Sequence, residues 1–120
     1  AQFFMDEYSW LLDAIVENNL DANISIKPTA LGLMIDESTA LANIEALLRR
    51  AAEDDIFVRL DMENHRVTQA TIDTALAMHT KGLTNIGVVL QGRLFRTLSD
   101  ILEVSSSMGS CTDFRILELP

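Results

Sequence analysis

The sequence predicts an α/β fold built from parallel βα repeats, and three observations predict it. Four short apolar runs each close on a polar or charged residue: Ile24-Ser25-Ile26-Lys27, Ile56-Phe57-Val58-Arg59-Leu60-Asp61, Ile86-Gly87-Val88-Val89-Leu90-Gln91 and Phe114-Arg115. The closing residues stand 34, 30 and 24 positions apart, close to the roughly 30 residues that a strand, a helix and their two loops require. An amphipathic helical stretch lies between each pair of runs. In parallel α/β folds the functional site sits at the carboxyl ends of the strands. Lys27, Asp61, Gln91 and Arg115 are therefore expected to converge on one mouth.

Residues 2 to 18 read as a helix, because Phe4, Tyr8, Leu11, Leu12 and Ile15 recur at helical spacing and Asn18-Asn19 can end it. Trp10 lies off that stripe and is expected to be partly exposed. Asn23 to Lys27 reads as the first strand, stopped by Pro28, which has no N–H for a sheet ladder. Thr29 to Ile35 reads as a loop in which Gly32 is free to take a positive φ. Asp36 or Ser38 can cap the next helix, whose apolar stripe is Leu41, Ile44, Leu48 and Ala51. Arg49-Arg50 suit the negative end of its dipole.

Glu53-Asp54-Asp55 reads as a solvated turn before a strand from Ile56 to Leu60. Asn64 or Thr68 opens a third helix to about Thr80, with Ile72, Ala75, Leu76 and His79 on one face and Gly82 as its stop. Ile86 to Leu90 is nearly all apolar and reads as a parallel strand buried on both faces. Thr97 or Ser99 starts a fourth helix with Leu98, Ile101, Leu102 and Met108 on its apolar face, and Phe114 to Leu117 reads as a last strand. The order is α-β-α-β-α-β-α-β without a linker between domains, so residues 1 to 120 are read as one domain. Such units fit a small open sheet, and equally four consecutive strands of an eight-stranded barrel.

The composition, 48% hydrophobic and 22% charged, is that of a folded domain. No apolar run approaches the ~18 residues of a membrane span. No secretory signal is visible at the start, and the absence of an initiator Met marks the chain as processed or cut from something longer. A net charge of −9 argues against binding nucleic acid through its phosphates. Cys111, the single cysteine, reads as a small packed residue in a reducing compartment. His65 and His79 are isolated and no metal-ligand spacing occurs, so no metal is expected.

Each mouth residue has a chemistry. Lys27 at a strand end can form a Schiff base once desolvated, or stay charged and hold an anionic substrate or cofactor. Asp61 with nearby Glu63 can do acid/base work, bind a metal, or anchor Arg59 or Arg66. Gln91 offers an amide to a planar ligand with mixed donors and acceptors, such as a flavin ring. Arg115 offers a fixed fork of donors and a permanent charge, or pairs with Asp113 or Glu118.

Three segments resemble the proline dehydrogenase family. Asn23-Ile24-Ser25-Ile26-Lys27-Pro28-Thr29-Ala30-Leu31-Gly32 is similar to the family strand that ends in an active-site Lys. Phe57-Val58-Arg59-Leu60-Asp61-Met62-Glu63 is similar to its (I/V)DMEE-like strand end, and Asn85-Ile86-Gly87-Val88-Val89-Leu90-Gln91 to its NVGxVxQAY strand. The order and spacing also agree. The resemblance implies a partial (β/α)8 TIM barrel, about strands two to five. It implies FAD as cofactor, oxidation of L-proline to 1-pyrroline-5-carboxylate, and a quinone-type electron acceptor. It implies Lys27 and Asp61 as catalytic residues, with Gln91, Arg115 and again Lys27 at the flavin. It further implies a cytoplasmic protein, or one peripheral at the inner membrane, mitochondrial in a eukaryote.

Departures from the family pattern are equally specific. Pro28 stands for an expected Leu, and Gly92-Arg93 for Ala-Tyr. Ile116-Leu117-Glu118-Leu119-Pro120 replaces the Lys-Gly-(Ala or Ile)-Tyr motif after Arg115. Nothing matches the first strand's Leu-Gly-Glu motif or the Arg-rich helix that holds proline's carboxylate. The alternative reading is therefore a catalytically incomplete half-barrel, an assembly or interaction module with open sheet edges and an apolar interior, which associates with itself or with the missing half. A Schiff-base lyase using Lys27 is the third reading.

Overall fold

The four apolar runs pair side by side in a computed structural model that describes residues 1–91, 96–108 and 114–117, with the backbone alone at 91, 107–108 and 114–117. The elements are α1 (Gln2–Glu17), β1 (Ile24–Ile26), α2 (Glu37–Glu53), β2 (Val58–Leu60), α3 (Thr68–Thr80), β3 (Ile86–Gln91), α4 (Thr97–Met108) and β4 (Phe114–Leu117). The strands are parallel and lie in the order β1-β2-β3-β4. A doubly wound sheet reverses its strand order to clothe both faces with helices. No reversal occurs among these strands, and right-handed crossovers then carry α2, α3 and α4 to one side.

Register sorts the side chains by face. Ile24, Val58 and Ile86 form one row, and Ile26, Leu60 and Val88 form another. Both rows are buried with Ile44, Leu48, Ile72 and Met78 of the helices. Between these rows Ser25, Arg59 and Gly87 alternate onto the opposite face. β3 is buried from Ile86 through Leu90, as its unbroken apolar run implies.

The strand and helix ends follow local chemistry. Pro28 starts a 3-10 turn, Pro28–Leu31, inside the expected loop, and Gly32 closes it at φ 106°. Asp36 caps α2. Its Oδ1 accepts from the N–H groups of Ser38 and Thr39 at 3.1 and 3.3 Å, and its Oδ2 accepts from Thr39 Oγ1 at 2.7 Å. Asn64 instead caps a separate 3-10 turn, His65–Val67, by accepting from the Arg66 N–H at 2.9 Å. Gly82 follows α3 at φ 85°. Trp10 is exposed as expected, whereas Phe4 and Leu11, assigned to the packed stripe of α1, are 43% and 38% exposed. Leu12 is the buried anchor of that helix, with Tyr8 and Ile15 partly buried against the core.

The apolar face expected for α4 needs correction. Leu98 and Leu102 are 71% and 64% exposed, while Thr97, Asp100 and Val104 are buried and Ile101 is partly buried. A carboxylate can occupy the buried stripe because Arg96 neutralises it. Arg96 Nε donates to Asp100 Oδ2 at 2.7 Å and Nη2 to Oδ1 at 3.0 Å. Among the described residues no helix is long and apolar enough to cross a membrane.

Leu48 is fully buried in the core, so Leu48→Ala is expected to cost about 2–5 kcal/mol in a urea melt. Hydrogen bonds from the side chains of Thr39 and then Ser38 hold the Asp36 carboxyl below its ordinary value of 3.8. A lowered folded-state pKa gives stability that is complete above the ordinary value and is lost as the pH falls through the folded one. The Tm gap between the parent and Asp36→Ala is thus expected to hold steady between about pH 7 and pH 5 and to narrow below about pH 4. A gap that widens on acidification contradicts the cap.

Candidate active site

Lys27 follows the last residue of β1, and the proline after it favours extended backbone at this position, where φ is −100° and ψ 113°. Its N–H points away from β2 and donates to Tyr8 Oη at 3.2 Å, so α1 holds the end of an otherwise open strand edge. Asp61 follows the last residue of β2, and its N–H donates to the Ile26 carbonyl at 2.9 Å. That bond extends the β1–β2 ladder by one step and sets Lys27 opposite Asp61. Lys27 Nζ lies 3.5 Å from Asp61 Oδ2, with the two side chains 62% and 32% exposed. An ion pair so open to water contributes only about 0–1 kcal/mol. Stability does not account for its position.

Glu63 binds the turn that follows Lys27. Its Oε2 accepts from the Thr29 N–H at 3.0 Å and its Oε1 from Thr29 Oγ1 at 2.6 Å. The loop after β2 is thereby clamped to the turn after β1. Among the described residues no group of three or more His, Cys, Asp or Glu side chains could hold a metal. His65 is exposed on its turn and His79 half-buried in α3. Schiff-base chemistry needs a desolvated amine, and the exposure of Lys27 does not provide one.

Gln91 ends β3, in the same sheet and at the same end as Lys27 and Asp61. Arg115 is not terminal in its strand. It pairs with Val89, while Gln91 pairs with Leu117. Continuing the register by one residue from Ile26, Leu60, Val88 and Phe114 brings positions 27, 61, 89 and 115 onto one rung, and Gln91 lies two residues beyond it. The side chains of Gln91 and Arg115 lie outside the described residues, as do Gly92, Arg93 and Cys111.

Sequence reasoning passed over Arg59 as a site residue. It is only 4% exposed, and it lies two residues beneath Lys27 and Asp61 on the face that the rows of isoleucine, leucine and valine leave free. Nη1 donates to Asn23 Oδ1 at 3.2 Å and to Ser25 Oγ at 3.1 Å, and the guanidinium carbon sits 5.8 Å from the centre of the Phe57 ring. The interior expected to be apolar thus carries a buried cation. Period-two alternation held the signal, since Ser25 precedes Lys27 by two and Arg59 precedes Asp61 by two. A shallow depression lined by Ile15, Val16, Asn19, Leu20, Asp54 and Ile56 lies at the other end of the strands, away from this pair.

Known proteins resemble this chain in sequence and fold. The chain is 31% identical over 96 residues to proline dehydrogenase 1 of Bacillus subtilis subsp. natto, covering 80% of this chain and 32% of that protein. Against proline dehydrogenase 2 of Bacillus subtilis strain 168 the identity is 34% over 92 residues, covering 77% of this chain and 30% of that one. By sequence, the chain is similar to proteins named proline dehydrogenase. The Deinococcus radiodurans proline dehydrogenase adds 30% identity over 101 residues, 81% of this chain and 33% of the relative. The chain spans about a third of the length of the curated relatives it matches. No protein-family model matches it. Its fold is similar to part of a crystal structure of proline utilization A from Bdellovibrio bacteriovorus inactivated by N-propargylglycine. That likeness has a TM-score of 0.77 at 19% identity and covers 97% of this chain and 15% of the other.

If the Lys27–Asp61 contact serves the site and not the fold, a double-mutant cycle of Lys27→Met and Asp61→Asn is expected to return a coupling of no more than about 1 kcal/mol in stability, shrinking in high salt. A coupling of several kcal/mol by denaturant titration would make the pair a structural element.

Proposed function

We propose that this chain forms part of the catalytic barrel of an FAD-dependent proline dehydrogenase, supplying four consecutive βα units, about strands two to five of a (β/α)8 barrel. One observation carries the reading. A lysine and an aspartate meet at the carboxyl ends of adjacent parallel strands, where barrel enzymes keep their chemistry, in a chain whose relatives are named proline dehydrogenases.

The donor set suits a flavin. The Lys27 ammonium reaches solvent at the mouth, and the Arg59 guanidinium is fixed and buried beneath it. Donors so placed favour negative charge arriving on an electron-accepting ring. FAD, when bound, supplies the hydride acceptor. Lys27 would lie beside it, and Gln91 and Arg115 are assigned to it by their positions on β3 and β4. Asp61 holds Lys27 and organises the pocket for L-proline. Oxidation to 1-pyrroline-5-carboxylate removes a hydride from proline and a proton to solvent, and the electrons leave to a quinone-type acceptor. The same reading places the protein in the cytoplasm or peripherally at an inner membrane, mitochondrial in a eukaryote.

A second reading, a half-barrel that works as an assembly module, is favoured by the bare apolar side chains at both ends of the helical layer: Phe3 and Trp10 on α1, Leu98 and Leu102 on α4. Sedimentation separates the two roles, since an assembly module is expected to run as a dimer or larger and a monomer sinks that role.

For the enzyme reading, FAD added to the chain is expected to lose fluorescence on binding and, in the absence of oxygen, to lose its visible absorbance when L-proline follows. Lys27→Met is expected to slow that bleaching by roughly 100-fold. A chain that holds FAD and leaves it oxidised in the presence of proline overturns the reading.

A further inference from the structure

The turn after β1 is held from two sides. Asn43 Nδ2, on α2, donates to the Leu31 carbonyl at the far end of the turn at 3.1 Å. Glu63, on the loop after β2, takes both donors of Thr29 at its near end, two residues from Lys27. The two donors reach different carboxylate oxygens, and the bond from the hydroxyl, at 2.6 Å, is a short charge-assisted contact. All four atoms belong to residues 29 and 63, so the clamp joins the carboxyl ends of β1 and β2 directly. Asp61, on the other side of the same junction, receives Lys27.

A lysine has four rotatable side-chain bonds, and Lys27 is largely exposed. The ion pair alone is too weak to order it. What restricts Lys27 is its backbone: Tyr8 fixes its N–H, Pro28 restricts its φ and ψ, and the Thr29–Glu63 clamp fixes the residue after Pro28. The clamp is the one of these three restraints that arises from the same loop as Asp61. A shift of that loop would move the carboxylate partner and the lysine's anchor together.

We propose that Glu63 is a positioning residue that acts through Thr29 to hold Lys27 in register with Asp61. The latch itself stands on the contacts above. What Lys27 faces rests on the proline dehydrogenase reading.

The test uses Glu63→Gln, Thr29→Val and Thr29→Ser in the 120-residue chain, each checked for a cooperative melt. Two readouts need no flavin. Amide hydrogen exchange reports the latch at Thr29. The rate of Lys27 acylation by a water-soluble reagent, read by peptide mass spectrometry against the chain's other lysine, Lys81, reports the order of Lys27. Glu63→Gln and Thr29→Val are expected to speed Thr29 exchange and to change the Lys27-to-Lys81 ratio severalfold, while Thr29→Ser stays at the parent value. With FAD and L-proline, the first two variants are expected to slow flavin bleaching roughly 10- to 100-fold with a smaller change in proline affinity. The double variant should be no slower than either single one.

An unchanged Lys27 ratio in Thr29→Val and Glu63→Gln overturns the proposal, whatever the flavin does. Thr29→Val carries the test alone if Glu63→Gln fails to fold. A shifted ratio restored by serine, in a chain that neither binds nor reduces FAD, upholds the latch and rejects the enzyme reading.

Discussion

The main-chain bond from the Asp61 N–H to the Ile26 carbonyl decides more than any side chain does. It continues the register that pairs Ile24 with Val58 and Ile26 with Leu60. A slip of one residue would turn every side chain of β1 to the other face. Ile24 and Ile26 would leave the core, at about 1.5–3 kcal/mol for each large side chain exposed. Lys27 would simultaneously lose Asp61. The ion pair is worth too little to choose the register, so the packing of the isoleucines against the helices chooses it. The site is a by-product of the core in energy, although not in chemistry.

Helix placement is reinforced by charge at the solvent side. Arg50 near the end of α2 donates to Asp54 on its own chain segment and to Asp13 of α1 at 2.8 Å. These bonds, led by the one to Asp13, push the guanidinium pKa up. Glu45 in the middle of α2 accepts from Lys81, just past α3, and from Arg49, and the bond from Lys81 leads in holding its carboxyl pKa low. Such exposed contacts orient neighbouring helices and add little stability. They join α1, α2 and the end of α3 in one belt, leaving the strands' carboxyl ends to the Lys27–Asp61 pair and the Thr29–Glu63 clamp.

Much of this was legible in the sequence because the strands are short and buried, and their periods are clean. Ile86 to Leu90 could hardly be other than a strand buried on both faces. Lys27 and Asp61 could be placed at strand ends because Pro28 stops β1 and a charged residue ends the apolar run of β2. The α4 face was misread because hydropathy alone puts Leu98 and Leu102 inward, and only the Arg96 partner makes a buried Asp100 tolerable. Glu63 was equally opaque. Its proximity to Asp61 suggested a pair of carboxylates, and its contact with Thr29 lies 34 residues away across the strand pairing. Strand order was the remaining ambiguity. Spacing allowed both an open sheet and a barrel segment, and only pairing shows the unreversed order that puts the crossover helices on one side.

Arg59 is the feature that fold stability explains least. Burying a guanidinium sacrifices hydration, and well-packed hydrophobic replacements for buried charges are often neutral or stabilising. β2 alternates Val58 and Leu60 on the helix side, so Arg59 and Asp61 must share the other side. Asn23 and Ser25 supply oxygen acceptors to the guanidinium, and the Phe57 ring lies beside it. A guanidinium at 4% exposure, two residues below Lys27 and Asp61 on the same face, is screened by water far less than a surface group. On the proposed reading, a ligand at the mouth meets in Arg59 a group already held by its neighbours, a positioned donor that needs no rearrangement.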